Sequence, residues 1–170
     1  VQPEDDLLLA TKEGKAIRFH AKDIRATGRS SRGVTGIRFS KGDEVVGCEV
    51  LTPDVESAIL SVCVKGYGKR SLTSVYRPQA RGGKGVKTMK ITVRTGKIVG
   101  GLTVSDGDEI MLITVGGQMV RTSVDGIRQA GRNTQGVRLV NLDTNDRLQD
   151  IAPVITSDKE EIVEDGETET

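Results

Sequence analysis

The sequence predicts an all-β fold, a propeller-like array of about three four-stranded blades, and three observations carry that expectation. Gly14, Arg18, Arg25, Arg29, Gly33 and Val34 recur 52 residues later as Gly66, Arg70, Arg77, Arg81, Gly85 and Val86. After a further 51 they return as Gly117, Arg121, Arg128, Arg132, Gly136 and Val137. A period near fifty marks a propeller or solenoid, in which each unit buries its apolar face against a neighbour. The composition agrees: 21 Gly, no Trp, two Phe and two Tyr leave Val, Ile, Leu and Met to build the core. Branched side chains favour strands, and no window sustains a helical period. Finally, each period holds four β-prone runs, the content of one propeller blade.

The units are expected at about 7–54, 58–105 and 109–155, inside a repeat body of residues 1–156. Each opens on an apolar run (7–11, 58–64, 110–115) and a second run (15–19, 67–72, 118–124). The two are joined by Glu13-Gly14, Lys65-Gly66 or Gly116-Gly117. A two-residue link ending in glycine signals a tight hairpin, because glycine accepts the positive φ that such turns need. An arginine-bearing connection follows. The third strand is expected on the alternating Val34-Ile37-Phe39, Val86-Met89-Ile91 and Val137-Val140-Leu142. A turn then leads to a last strand near 45–51, 98–104 and 148–154. Propellers close with roughly 4 to 8 blades, so three units predict either part of a longer array or half of a pairing of two chains.

Composition and motifs exclude several functions. No apolar run approaches the ~20 residues that span a bilayer, and the N-terminus lacks a signal-peptide layout. That points to a cytoplasmic protein with no membrane partner. Cys48 and Cys63 have no metal spacing and read as reduced thiols. His20 is the only histidine, so neither a histidine triad nor a multi-histidine metal site is available. Gly66-Tyr67-Gly68-Lys69-Arg70-Ser71 lacks the Gly-Lys-Ser/Thr of a phosphate loop and lies in a hairpin. No carboxylate pair sits in an apolar setting suited to acid–base work. The expectation is therefore no catalytic residue, no metal and no cofactor in this chain.

Charge is distributed unevenly. Residues 157–170 hold seven acids against one base, Lys159, so the body is strongly basic although the formal net charge is only +1. A basic body with an acidic end suggests a polyanion partner and a tail that competes for the same surface; a merely solvated, disordered tail fits equally. The basic residues concentrate in the connections Thr27-Gly28-Arg29-Ser30-Ser31-Arg32-Gly33, Gln79-Ala80-Arg81-Gly82-Gly83-Lys84-Gly85 and Ala130-Gly131-Arg132-Asn133-Thr134-Gln135-Gly136. Small residues let a phosphate backbone approach main-chain N–H groups, and Arg and Lys add counterion release. Few aromatics argue for duplex backbone contacts over base stacking. The candidate DNA contacts are Arg29, Arg32, Lys69, Arg70, Arg77, Gln79, Arg81, Gly82, Gly83, Lys84, Gly85, Lys87, Arg121, Arg128, Arg132 and Arg138. Lys69, whose counterparts are Ile17 and Val120, is expected to make the second rim the most basic. Arg29, Arg81 and Arg132 have an alternative role: pinning one blade to the next through carbonyls or carboxylates.

Over residues 7–154 the chain resembles the C-terminal, DNA-wrapping domain of the bacterial DNA gyrase A subunit. The resemblance rests on Gly66-Tyr67-Gly68-Lys69-Arg70, Tyr76-Arg77, Gly82-Gly83-Lys84-Gly85, Val45-Val46-Gly47 and above all Gly131-Arg132-Asn133-Thr134-Gln135-Gly136-Val137-Arg138. It implies a β-pinwheel, a disk whose blades exchange strands, of which three blades are a partial disk of a six-bladed fold. It also implies a nucleoid-associated role in bending duplex DNA for ATP-dependent negative supercoiling. The partners would be the N-terminal region of gyrase A, together with gyrase B, and ATP and Mg would bind elsewhere in the holoenzyme. The family's heptapeptide, Gln-Arg/Lys-Arg-Gly-Gly-Lys/Arg-Gly, is approached by residues 79–85, but Ala80 takes the basic second position. The alternatives are the C-terminal domain of topoisomerase IV and a protein-interaction propeller with no DNA role.

Overall fold

The computed structural model describes residues 1–155, in which eleven strands and three single-turn 3-10 segments leave no α-helix. The predicted acidic tail at 157–170 lies outside the described residues. The first unit comprises β1 (Asp6–Thr11), β2 (Lys15–His20) and β3 (Val45–Leu51). The second has β4 (Ala58–Cys63), β5 (Tyr67–Leu72), β6 (Val86–Lys87) and β7 (Ile98–Val104). The third has β8 (Glu109–Thr114), β9 (Met119–Ser123), β10 (Val137–Arg138) and β11 (Leu148–Pro153). The hairpin glycines Gly14, Gly66 and Gly117 take φ of +84°, +81° and +86°, as the two-residue turns require.

Every pairing within the three sheets is antiparallel, and the strand orders are β3-β1-β2-β6, β10-β5-β4-β7 and β11-β8-β9. The fourth strand of a sheet is thus donated by the following unit. β6 adds to the first sheet, with Lys15 opposite Lys87 and Ala16 opposite Val86. β10 adds to the second, with Val137 opposite Gly68 and Arg138 opposite Tyr67. This corrects two expectations. The third strand does not run the length of the alternating segment, and among the described residues the third sheet has three strands, not four.

The alternating segment divides because it serves two blades. Val86 and Lys87 pair outward with the preceding sheet, whereas Met89 turns inward onto Cys63, Tyr67 and Ile98 of its own unit. In unit one Ile37 packs on Ile17 and Phe19 in the same way. Val34 and Thr35 have no sheet partner among the described residues and form no strand. The crossing is tight: a Cβ on Gly85 would lie 2.5 Å from the Ala16 carbonyl oxygen. The glycine recurs there because the donated strand passes against its neighbour's backbone.

Burial follows from this sharing. β4, in the middle unit, is buried at all six positions, so its sequence reads as a nearly continuous apolar run. β8 alternates, and β9, with no strand on its outer side, is largely exposed. At the inner edge β7 packs against both β3 and β11. A Cβ built on Gly47 would lie 3.6 Å from the Gly101 backbone there. The donated strands β6 and β10 occupy the opposite, outer edge.

Two of the three recurring hairpin arginines latch one unit to the next. Arg18 donates to Asp6 Oδ2 at 2.6 Å, and across the seam to the carbonyls of Thr73 (3.1 Å) and Tyr76 (3.3 Å). Arg70 repeats the seam contact on the Ile127 carbonyl at 2.8 Å and also pairs with Asp106. Among the described residues Arg121 pairs only with Glu109 of its own hairpin, and it stays exposed. Substituting Arg18 by Ala should therefore lower stability by about 2 kcal/mol, because it frees a buried carboxylate and two carbonyls. The same change at Arg121 should barely move the urea midpoint. Equal effects would contradict the latch.

Candidate nucleic-acid interface

The connecting segments are joints first. Gln79 N–H donates to the Arg18 carbonyl and Gly82 N–H to the Gly36 carbonyl, both at 2.7 Å, while Arg38 N–H donates to the Gly83 carbonyl at 2.9 Å. Ala130 N–H likewise reaches the Arg70 carbonyl. These main-chain groups are spent on the neighbouring unit and do not form the expected anion-binding concavity. Arg81 donates to the carbonyls of Thr35 (2.7 Å) and Asp23 (3.1 Å), and Arg132 to that of Lys87 (2.9 Å). Thr35 and Lys87 are equivalent in the repeat, so the alternative role as a blade pin describes both arginines. Arg29, at the same place in unit one, is exposed.

Lys69 requires the firmest correction. It is 1% exposed, and its ammonium donates to Ser71 Oγ (3.2 Å) and to the carbonyls of Gly131 (2.5 Å) and Arg132 (2.7 Å). Three N–H donors meet three acceptors. Burial first, then the Arg132 guanidinium, pull its pKa from 10.5 down to about 8. Lys69 therefore adds nothing to the rim. Arg70 and Arg121 are committed to the contacts described above, and Gln79, Gly82, Gly83 and Gly85 lie half-buried in the seam.

What remains on the surface is a cationic outer edge. Arg32, Arg77, Lys84, Lys87, Arg128 and Arg138 are exposed, and none forms an ion pair among the described residues. The register places Lys87 directly opposite Lys15. Like charges opposite each other destabilise a sheet by roughly 0.2–1 kcal/mol, so the pair is a standing cost unless an anion lies against it. At the next seam Arg138 lies beside Arg94, and both donate to the Tyr67 hydroxyl, at 2.8 and 2.9 Å. Sequence reasoning misses Lys15, Arg94 and Tyr67. Only the strand exchange brings them to the rim, and Arg94 has no repeat counterpart to flag it.

Among the described residues no group of His, Cys, Asp and Glu could hold a metal, and no helix is long and apolar enough to cross a membrane. Cys63 is buried, its thiol pushed up to about 12, and Cys48 is exposed; both are free. His20 contacts Asp6 at 2.5 Å. Repeated antiparallel units, shared outer strands and a cationic outer edge define a β-pinwheel module.

The family described as DNA gyrase C-terminal domain, beta-propeller, matches residues 5–52, 64–105 and 108–155, and this chain belongs to it. The DNA gyrase A subunit of Lawsonia intracellularis is 46% identical over 144 residues, which is 84% of this chain and 18% of that protein. A solved DNA gyrase A C-terminal domain superposes with a TM-score of 0.83 at 30% identity, covering 91% of this chain and 52% of that one. The C-terminal domain of DNA topoisomerase IV shares the fold, with a TM-score of 0.83 at 24% identity over 89% and 47% of the two chains. The chain thus spans about a fifth of the length of the curated relatives it matches.

Proposed function

We propose that this chain is a non-catalytic, sequence-nonspecific duplex-DNA-binding module of a gyrase A subunit, which bends DNA along its outer edge. The observation that carries this reading is the row of cations at the strand-exchange seams. Lys15 faces Lys87, Lys84 stands beside them, and Arg94 and Arg138 follow one unit on, without carboxylate partners among the described residues. Cations held at repeat spacing on one edge suit a stiff polyanion whose phosphates also repeat. In the holoenzyme the bent segment would be presented for ATP-dependent strand passage, with the other gyrase segments as partners.

Two unrelated duplexes of equal length should bind with equal affinity, and a single strand of the same length more weakly, because few aromatics are available for stacking. A strong preference for one duplex, or for the single strand, would overturn the proposal. Ala80 in the heptapeptide position favours binding with weak chiral wrapping, measurable as a small linking-number change on ligation. A protein-interaction propeller has no specific observation in its favour.

The seven acids of residues 157–170 supply a competing polyanion. Deleting them should tighten duplex binding at low salt and change it little at high salt. No change at low salt would leave the tail without a regulatory role.

A further inference from the structure

The Arg94–Tyr67–Arg138 cluster is built from two units. Tyr67 opens β5, directly after the Gly66 turn, and is 5% exposed. Arg138 lies opposite it on the donated β10. Arg94 comes from the loop before β7, where Thr92 and Thr95 bond each other's backbone and side chains and fix the turn. The two guanidinium carbons lie 5.2 and 5.3 Å from the Tyr67 ring centroid. Arg94 donates through Nε and Arg138 through Nη2 to the one hydroxyl oxygen, and Arg138 Nη1 is steadied by Asn141 Oδ1 at 3.2 Å.

This arrangement holds two positive charges side by side with no carboxylate in ion-pair reach among the described residues. The ring contacts and the shared hydroxyl offset part of their repulsion. They also orient the pair: with Nε committed to the phenol, Arg94 keeps both terminal nitrogens for another acceptor. Arg138 keeps its Nε. Lys65, whose ammonium is tied to the Val93 carbonyl at 2.5 Å, brings a third cation to the same loop. Convergent N–H donors on adjacent guanidinium groups match the paired non-bridging oxygens of a phosphate. The other seam has only Lys15 and Lys87 at the equivalent register, and Gln118 takes the tyrosine position in unit three.

We propose that Arg94 and Arg138, held on Tyr67, form one phosphate seat that grips a single backbone phosphodiester of duplex DNA. The seat rests on the DNA-binding reading of this edge. Tyr67 is a positioning residue in it.

The test is duplex affinity against salt for the wild type, Arg94→Gln, Arg138→Gln and the double variant, with urea unfolding to confirm that each is folded. Each single change should weaken binding about tenfold. The double variant should be little worse than either single, because both arginines serve one phosphate. Its slope of log K against log salt should shrink by about 0.9, the value for one lost phosphate contact. Unchanged affinity in folded variants would overturn the seat while leaving the wider DNA interface standing. Additive losses with a slope change near 1.8 would mean two separate contacts, and would also overturn it.

Should the wild type not bind duplex DNA, the functional reading fails, and the seat is judged with inorganic phosphate. Tyr67 absorbance then reports, since its hydroxyl is bonded to both arginines whereas that of Tyr76 is bonded to Thr88. A saturable change that disappears in the double variant supports the seat; no change in the wild type overturns it.

Discussion

Replacing Lys15, Lys84 and Lys87 together by Glu should weaken duplex binding about 100-fold near physiological salt, equally for unrelated sequences. The size follows from counterion release: three phosphate contacts removed at a slope of about 0.9 each amount to roughly two decades. The fold should tolerate the change. Lys84 and Lys87 are exposed, Lys15 is half-exposed, and Lys15 and Lys87 already face each other as like charges, so one repulsion replaces another. Arg81 is left out of the set because its guanidinium holds the Thr35 and Asp23 carbonyls, and its loss would confuse binding with folding. A folded triple variant with unaltered affinity would move the interface away from the first seam.

The second large effect is one of stability. Lys69 has a folded pKa of about 8 against an ordinary 10.5. Between those values the unfolded chain binds the extra proton, so unfolding free energy rises with pH across this window and is flat, on this account, below it. At about 1.4 kcal/mol per pKa unit the whole rise is roughly 3 kcal/mol. Urea unfolding of the wild type and of Lys69→Met from pH 7 to 10.5 isolates this contribution, because other groups titrate in both proteins. The difference between the two should grow in favour of the wild type above pH 8. Parallel curves would mean that the ammonium is not buried as described.

Lys69 also shows how far the sequence can be read. Its counterparts Ile17 and Val120 are apolar, and a position apolar in two units of three belongs to the core. That signal outweighs the identity of one basic residue. The hairpins and inner strands are legible because the Gly turns and apolar runs act locally: β3 and β7 run over 45–51 and 98–104, the expected spans. The third strands are not, because Val86-Lys87 and Val137-Arg138 choose partners in another unit, and local alternation carries no information about the partner.

The interface divides along the same line. The exposed Lys84, Lys87 and Arg138 can be picked out as bases that vary between repeats, since a position free of packing constraints can change. Arg70, Arg81 and Arg132 are fixed for the opposite reason: each donates to a carbonyl of the adjacent unit. Repetition alone does not separate joint from edge, because Arg25, Arg77 and Arg128 also recur and stay exposed. Arg94 and Tyr67 become legible only once β10 is paired with β5.

The central claim is that cations left unmatched along the exchanged strands hold the phosphate backbone of duplex DNA. The most direct measurement is the dependence of duplex affinity on salt, with two unrelated sequences compared. Log K should fall linearly with log salt, with a slope of about −3.6 or steeper for four or more phosphate contacts and the same for both duplexes. A flat dependence, or slopes that differ between the two sequences, would contradict it.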